Sequence, residues 1–184
     1  MEILTGEKFQ DICDAGISKL QHKPFESATK HNSIDVDEFN FFEYDNPELI
    51  YINSSLINKD KTSLVSSNLF RKLEALTNPF RVVLHNSDQN FDDIHRHYFD
   101  IPNLKKIYTQ NINTVHKDLV PIPIGLANSN WPWGNLGTVN KILDEKVKKD
   151  KLCYFYFKIN GGVREEHRPE CHKVLMGKGF QFLP

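Results

Sequence analysis

The sequence predicts an α/β protein built on a Rossmann-like, mostly parallel sheet, and three observations carry that prediction. Short apolar runs at Leu49–Ile52, Phe80–Leu84 and Leu104–Tyr108 are of the kind found in strands buried on both faces. Segments with helical spacing stand between them, such as Leu64, Leu69, Leu73 and Leu76 along one stripe, closed by Asn78-Pro79. Strand and helix alternate at lengths that suit right-handed crossovers between parallel strands.

Taken in order, Phe9, Ile12, Cys13, Ile17 and Leu20 recur at spacings of three and four, which predicts an amphipathic helix over 8–20. Gln21 to Glu38 is polar and holds Pro24, Ser27, Thr29, Asn32 and Ser33, so it reads as a long surface loop. Asn46-Pro47 introduces the strand at Leu49–Ile52, the helix around Leu64–Leu76 follows, and Phe80–Leu84 is the next strand. A helical segment near Phe91–Phe99 comes next, with Ser87 or Asp88 suited to cap its start. Val120-Pro121-Ile122-Pro123-Ile124 is apolar but twice interrupted by proline, which cannot donate to a ladder, so it predicts an edge strand or an extended connector.

Asn140 to Lys151 is charge-rich and helical and marks a boundary between a first domain, 1–148, and a second, 149–184. The second reads as a strand within Leu152–Ile159, a Gly161-Gly162 turn, a helix to about Met176 and a last apolar segment, Phe180–Leu183. Two strands and one helix do not cover both faces of a parallel sheet. This part is therefore expected to dock on the first domain's sheet, to continue in a longer polypeptide, or to be completed by a partner chain.

Composition narrows the functional classes. A chain of 184 residues with 39% hydrophobic content can bury one full core and begin a second. Lys+Arg at 23 against Asp+Glu at 24 leaves a formal charge of -1, without the basic excess that a phosphate-backbone binder needs, so nucleic acid is not the expected partner. Cys13, Cys153 and Cys171 are far apart and form no Cys-x-x-Cys pair, so they read as reduced thiols rather than a disulfide framework or zinc site. No stretch approaches the ~20 apolar residues of a membrane span, and Met1-Glu2 does not open a leader peptide, which predicts a cytoplasmic protein.

In open parallel sheets ligands bind beyond the carboxyl ends of the strands, so the residues following each strand are the candidates. His85-Asn86-Ser87-Asp88 follows one strand, Thr109-Gln110-Asn111 the next, and Gly125 with Asn128-Ser129-Asn130-Trp131 the proline-interrupted run. Together they offer an imidazole, a carboxylate, amides and an indole, the inventory of a sugar or nucleotide pocket. The same loops also suit plain chain reversal and helix capping. His85 has the ordinary pKa range for a general base, with Asp88 to orient it or bind a hydroxyl. Asp92, Asp93, His95 and His97 form a local cluster, but histidines two apart on a helix point to different faces, so no metal is expected there. Trp131-Pro132-Trp133-Gly134-Asn135 carries the only two tryptophans, whose faces suit sugars or bases, or alternatively plug a domain edge. Asn160-Gly161-Gly162-Val163-Arg164 joins a strand to a helix, where helix amides with Arg164 and Arg168 could cradle a diphosphate, or the arginines are simply solvated.

The motifs Leu-Thr-Gly-Glu-Lys-Phe at 4–9, Leu-Ile-Tyr at 49–51, His-Asn-Ser-Asp-x-x-Phe at 85–91, Ile-Tyr-Thr-Gln-Asn at 107–111, Pro-Ile-Gly-Leu-Ala-Asn-Ser at 123–129 and Trp-Pro-x-Gly-Asn at 131–135 together resemble the amino-terminal half of exostosin-like glycosyltransferases, notably those of large DNA viruses. The chain departs from that pattern at Trp133, where the family would have histidine, and at Gly161-Gly162, where it would have Thr-Asn. The resemblance implies the first domain of a two-domain GT-B enzyme and the beginning of the second. It implies sugar transfer from a nucleotide-sugar to a glycan acceptor without an essential metal or other cofactor, in the cytoplasm, including a host's cytoplasm for a viral protein. The roles it implies are His85 or Asp88 as base, Asn86, Gln110, Asn111, Asn128, Trp131 and Asn135 on the acceptor, and Arg164 and Arg168 on the donor. The alternative is a non-catalytic carbohydrate- or protein-binding module of the same descent.

Overall fold

The computed structural model describes residues 4–17, 40, 42, 44, 46–57, 64–128, 134–145, 148, 154–155, 159 and 167–182. The loop expected at 21–38 lies outside the described residues. The chain divides into two compact units, 1–136 and 137–184.

The first unit is an α/β fold on a five-stranded, all-parallel sheet. Its elements are α1 (Gly6–Asp11), β1 (Ala15–Ile17), β2 (Leu49–Asn53), a 3-10 turn (Ser54–Leu56), α2 (Leu64–Glu74), β3 (Phe80–His85), a 3-10 helix (Asp93–Asp100), β4 (Leu104–Thr109) and β5 (Leu119–Pro121). The strands stand in sequence order, β1-β2-β3-β4-β5, every neighbour parallel. The reversal of direction that a doubly wound sheet makes is absent among the described strands, and with it the crevice such a reversal opens. β5 is one of the two edge strands, a position that suits Pro121.

Side chains alternate across the sheet. Ile50, Ile52, Val82, Leu84 and Ile107 face one way, packed with Leu69, Leu73 and Leu76 after β2 and with Tyr98 and Ile101 after β3. Tyr51 and Val83 face the other way, under Phe9 and Cys13 from the amino-terminal segment. Strands added steadily in one direction by crossovers of one hand place their connectors on one face, which is where these connectors lie. Among the described residues, α1 is the helix packed on the opposite face.

The amino-terminal expectation needs correction. Helix α1 ends at Asp11, and Ala15–Ile17 is the first strand rather than the second half of a helix over 8–20. Ala15, Gly16 and Ile17 are all buried, and Ala15 and Ile17 fit a strand's period as well as a helix's. Tertiary pairing decides between them: the Asp14 carboxylate accepts from the backbone N–H of Glu48 and Leu49, both at 2.9 Å, which locks β1 beside β2. The helix expected near Phe91–Phe99 is a 3-10 helix capped by Asp92, not by Ser87 or Asp88, and Phe91 instead bridges to Ile112.

In the second unit, β6 (Tyr154–Phe155) and β7 (Gln181–Phe182) pair in parallel, with α4 (His167–Gly177) between them in sequence. This is the strand–helix–strand unit read from the sequence. Helix α3 (Leu136–Asp144) precedes it and covers the start of the charge-rich stretch expected over 140–151, most of the rest of which lies outside the described residues. Neither α3 nor α4 buries a residue. Among the described residues no helix is long and apolar enough to cross a membrane.

Candidate functional site

The carboxyl ends of β3 and β4 and the stretch after β5 open on one cavity of about 430 Å³. His85, Asn86, Ser87 and Asp88 come from the end of β3, Gln110 from the end of β4, and residues 124–128 from the segment beyond β5.

The loop leaving β3 turns on Asn86, whose φ of 60° is left-handed. Asparagine is among the few side chains that adopt this region readily. The carbonyls of the loop are then held by neighbours: His85 O by the Ser54 hydroxyl at 3.3 Å, Asn86 O by Asn53 Nδ2 at 3.3 Å, and Ser87 O by Gln110 Nε2 at 2.6 Å and Asn111 Nδ2 at 3.0 Å. Each donor lies at or just beyond the end of a neighbouring strand, so the parallel sheet itself supplies the clamp. Asp88, beyond this clamp, is exposed at the cavity wall.

A second set of bonds closes the cavity against α1. Leu126 N–H donates to Leu4 O at 2.8 Å, and the Glu7 N–H, in the first turn of α1, donates to Asn128 Oδ1 at 3.1 Å across 121 residues of sequence. Asn128 Nδ2 donates to Asn86 Oδ1 at 3.1 Å, and Asn86 Nδ2 to the Tyr51 hydroxyl at 2.8 Å. Tyr51 is fully buried, and burial pushes its pKa up, the Asn86 hydrogen bond opposing this in part. Gly125, at φ 74°, passes so close to Leu4 that a Cβ would lie 2.6 Å from its carbonyl oxygen.

His85 is 1% exposed. Its Nδ1 lies 3.3 Å from Asn86 Oδ1, its Nε2 3.4 Å from Pro123 O, and its ring 4.7 Å from that of Phe9. Burial lowers its pKa from the ordinary 6.5, while Asn86 and the backbone of Pro123 and Ile124 pull it partly back. The imidazole is thus neutral near pH 7 and enclosed, whereas Asp88 meets solvent. Of the two candidate bases, only Asp88 stands where a ligand reaches it without rearrangement.

Of the residues singled out from sequence, His85, Asn86, Asp88, Gln110 and Asn128 come together around the cavity. Asn111 stands behind it, holding Ser87. Asn135 belongs to the same unit but is exposed and does not line the cavity. Arg168 is on α4 in the second unit. Trp131 and Arg164 lie outside the described residues. His95 is buried, its Nδ1 accepting from Asp92 N–H at 3.0 Å, which is a packing role.

Sequence reasoning assigned no role to Tyr51, Gly6, or the apolar Ile124 and Leu126, which are 64% and 43% exposed along the cavity. The glycine of Leu-Thr-Gly-Glu was a usable signal, since a helix-starting glycine in a motif marks a close approach. A neutral amide floor, an exposed carboxylate and an aliphatic rim suit a ligand with hydroxyl donors and an apolar face. Among the described residues no group of three or more His, Cys, Asp or Glu could hold a metal ion. Compared with known proteins, the chain matches no family model and no curated protein.

Proposed function

We propose that this cavity is the acceptor side of a sugar transferase of GT-B plan, acting in the cytoplasm, with the donor side beginning in the second unit. One observation carries the reading. Segments from His-Asn-Ser-Asp-x-x-Phe, Ile-Tyr-Thr-Gln-Asn and Pro-Ile-Gly-Leu-Ala-Asn-Ser meet around one cavity, and Leu-Thr-Gly-Glu-Lys-Phe bonds to its wall through the Glu7 N–H and Asn128. In this reading an acceptor hydroxyl attacks the anomeric carbon of a nucleotide-sugar, the bond to the diphosphate breaks, and the hydroxyl proton passes to Asp88. Gln110 orients the acceptor. Within the donor side, Arg164 and Arg168 are the proposed partners of the nucleotide-sugar's diphosphate.

The test is an NMR titration of the labelled chain with neutral methyl glycosides and short oligosaccharides, followed by a transfer assay on the natural polypeptide. Glycan binding is expected to shift the amides of 85–88, 110 and 124–128. Asp88→Asn is expected to lower the transfer rate by roughly 10²–10⁴-fold, the usual contribution of a positioned base. Glycans that shift none of these amides would remove the assignment.

A binding module without chemistry is favoured by one observation, the enclosure of His85 with both ring nitrogens facing protein oxygens. On that reading glycans bind, but no nucleotide-sugar is turned over and Asp88→Asn changes affinity alone.

A further inference from the structure

The stretches that supply the cavity wall are nearly free of charge. Over 85–91, 109–115 and 121–135 the sequence has no Lys, Arg or Glu and a single Asp, Asp88, in a chain of which 26% is charged. His85 adds no cation, since it is 1% exposed and burial lowers its pKa, the hydrogen bonds to Asn86, Pro123 and Ile124 opposing this in part. Arg81 on β3 and Lys106 on β4 are paired elsewhere, with Glu48 at 3.9 Å and Asp118 at 3.8 Å. No cation among the described residues pairs with Asp88, which is exposed on the wall. The amides beside it each turn an N–H toward protein, Gln110 to Ser87 O, Asn86 to Tyr51 and Asn128 to Asn86. Gln110 Oε1 is a buried acceptor without a partner among the described residues.

We infer that Asp88 makes this a charge-selecting site, one that takes neutral and amine-bearing polyols and rejects ligands with a carboxylate or phosphate at the bound end. A hydroxyl or ammonium group donates to the Asp88 carboxylate, whereas an anion has only acceptor oxygens to offer. An anion entering the cavity gives up water, meets a like charge, and finds no guanidinium or ammonium group in the three stretches to compensate it. An ammonium group exchanges water for a carboxylate, and the exposure of Asp88 keeps the gain to the scale of a surface pair. Ile124 and Leu126 on the rim add low-dielectric wall, which concentrates the field of the one charge. The inference rests on the proposed reading in taking this cavity as the ligand site, but the selection by charge is a property of the wall and holds whether or not the ligand is a sugar.

Two nitroxides of one ring structure, one bearing an amine and the other a carboxylate, probe the field of the wall without any ligand. In the wild-type chain the amide protons of 86–88, 110 and 124–127 are expected to relax faster with the amine than with the carboxylate, and Asp88→Asn is expected to even the two. The ligand test uses three methyl pyranosides that differ only at the sixth carbon, the 6-amino-6-deoxyglucoside, the glucoside and the glucuronide. NMR titration is expected to rank them from tightest to weakest in that order, each step roughly two- to fivefold in Kd, the scale of an exposed ion pair. The advantage of the amine over the glucoside is expected to vanish in Asp88→Asn. Nitroxides that act equally on the wild-type wall, a glucuronide that binds as tightly as the glucoside, or a ranking unchanged in Asp88→Asn overturns the inference. If the nitroxides differ as expected while none of the three glycosides shifts these amides, the sugar reading fails and the selection by charge stands.

Discussion

Gly6, in the first turn of α1, lies against the carboxamide of Asn86 so closely that a Cβ at position 6 would collide with its oxygen and come within 2.7 Å of Asn128 Oδ1. The contact joins the start of the chain to the loop after β3 and the segment after β5, and it is the point where the cavity wall depends on α1.

Gly6→Ala is therefore expected to destabilise the protein by about 1–3 kcal/mol, the usual consequence of forcing an atom into a filled site, although alanine is the better helix former. Gly177→Ala is the contrasting case, since a Cβ there meets nothing within 4 Å. It is expected to be neutral or to stabilise α4 by up to ~1 kcal/mol on helix propensity. Urea denaturation of both variants checks the pair, and equal effects would mean that Gly6 is not packed as described.

Asn86 combines a left-handed backbone with three side-chain contacts, to Tyr51, Asn128 and His85, and two substitutions separate these contributions. Asn86→Ala and Asn86→Gly lose the same carboxamide, but only alanine retains a Cβ that disfavours φ near 60°. Asn86→Ala is expected to be less stable than Asn86→Gly by roughly 1 kcal/mol, read from the difference in denaturation midpoints. Alanine equal to or better than glycine would show that the loop relaxes out of the left-handed region.

The central strands were legible because apolar runs bounded by Asn-Pro or polar clusters leave little choice, and Leu49–Asn53, Phe80–His85 and Leu104–Thr109 lie where those runs lie. β1 was not, because Ala15 and Ile17 fit two periods and the deciding bonds come from Glu48 and Leu49, far along the chain. The same contrast holds at the site. His85, Asn86, Asp88, Gln110 and Asn128 were legible as polar residues directly after apolar runs, since the end of a parallel strand is where ligands reach a sheet. Their internal order was not. That Asn86 and Asn128 bind each other depends on α1 crossing to residues 125–128, a placement made by the Leu4–Leu126 and Glu7–Asn128 hydrogen bonds and permitted by the close approaches at Gly6 and Gly125.

Cys13 and Cys171 should respond differently to alkylation. Cys13 is buried, its Sγ donating to Phe9 O at 3.1 Å, and burial, with a smaller push from Asp14, raises its thiol to about 12. The thiolate is the reactive form, so Cys13 is expected to resist iodoacetamide in the native protein, whereas the exposed Cys171 is modified. Mass spectrometry of digests taken with and without urea checks this. Modification of Cys13 at the native rate of Cys171 would mean that α1 opens readily from the sheet.

His85 should leave a signature in the pH dependence of stability. Burial lowers its folded-state pKa below the 6.5 of the unfolded chain, against the opposing hydrogen bonds from Asn86, Pro123 and Ile124. Between those two values the unfolded chain holds more protons than the folded one, so stability falls as pH falls. The contribution of the neutral, buried ring is complete above 6.5, and it declines below that value until the pH passes the folded pKa. His85→Gln keeps a polar side chain that does not titrate in this range. Urea midpoints from about pH 8 to pH 5 are therefore expected to fall more steeply for the wild type than for the variant, with the divergence confined to the acid side of the unfolded histidine pKa. Parallel curves would mean that the imidazole titrates in the folded protein as it does in the unfolded chain, and that the amide and carbonyl oxygens around it stabilise the cation enough to cancel its burial.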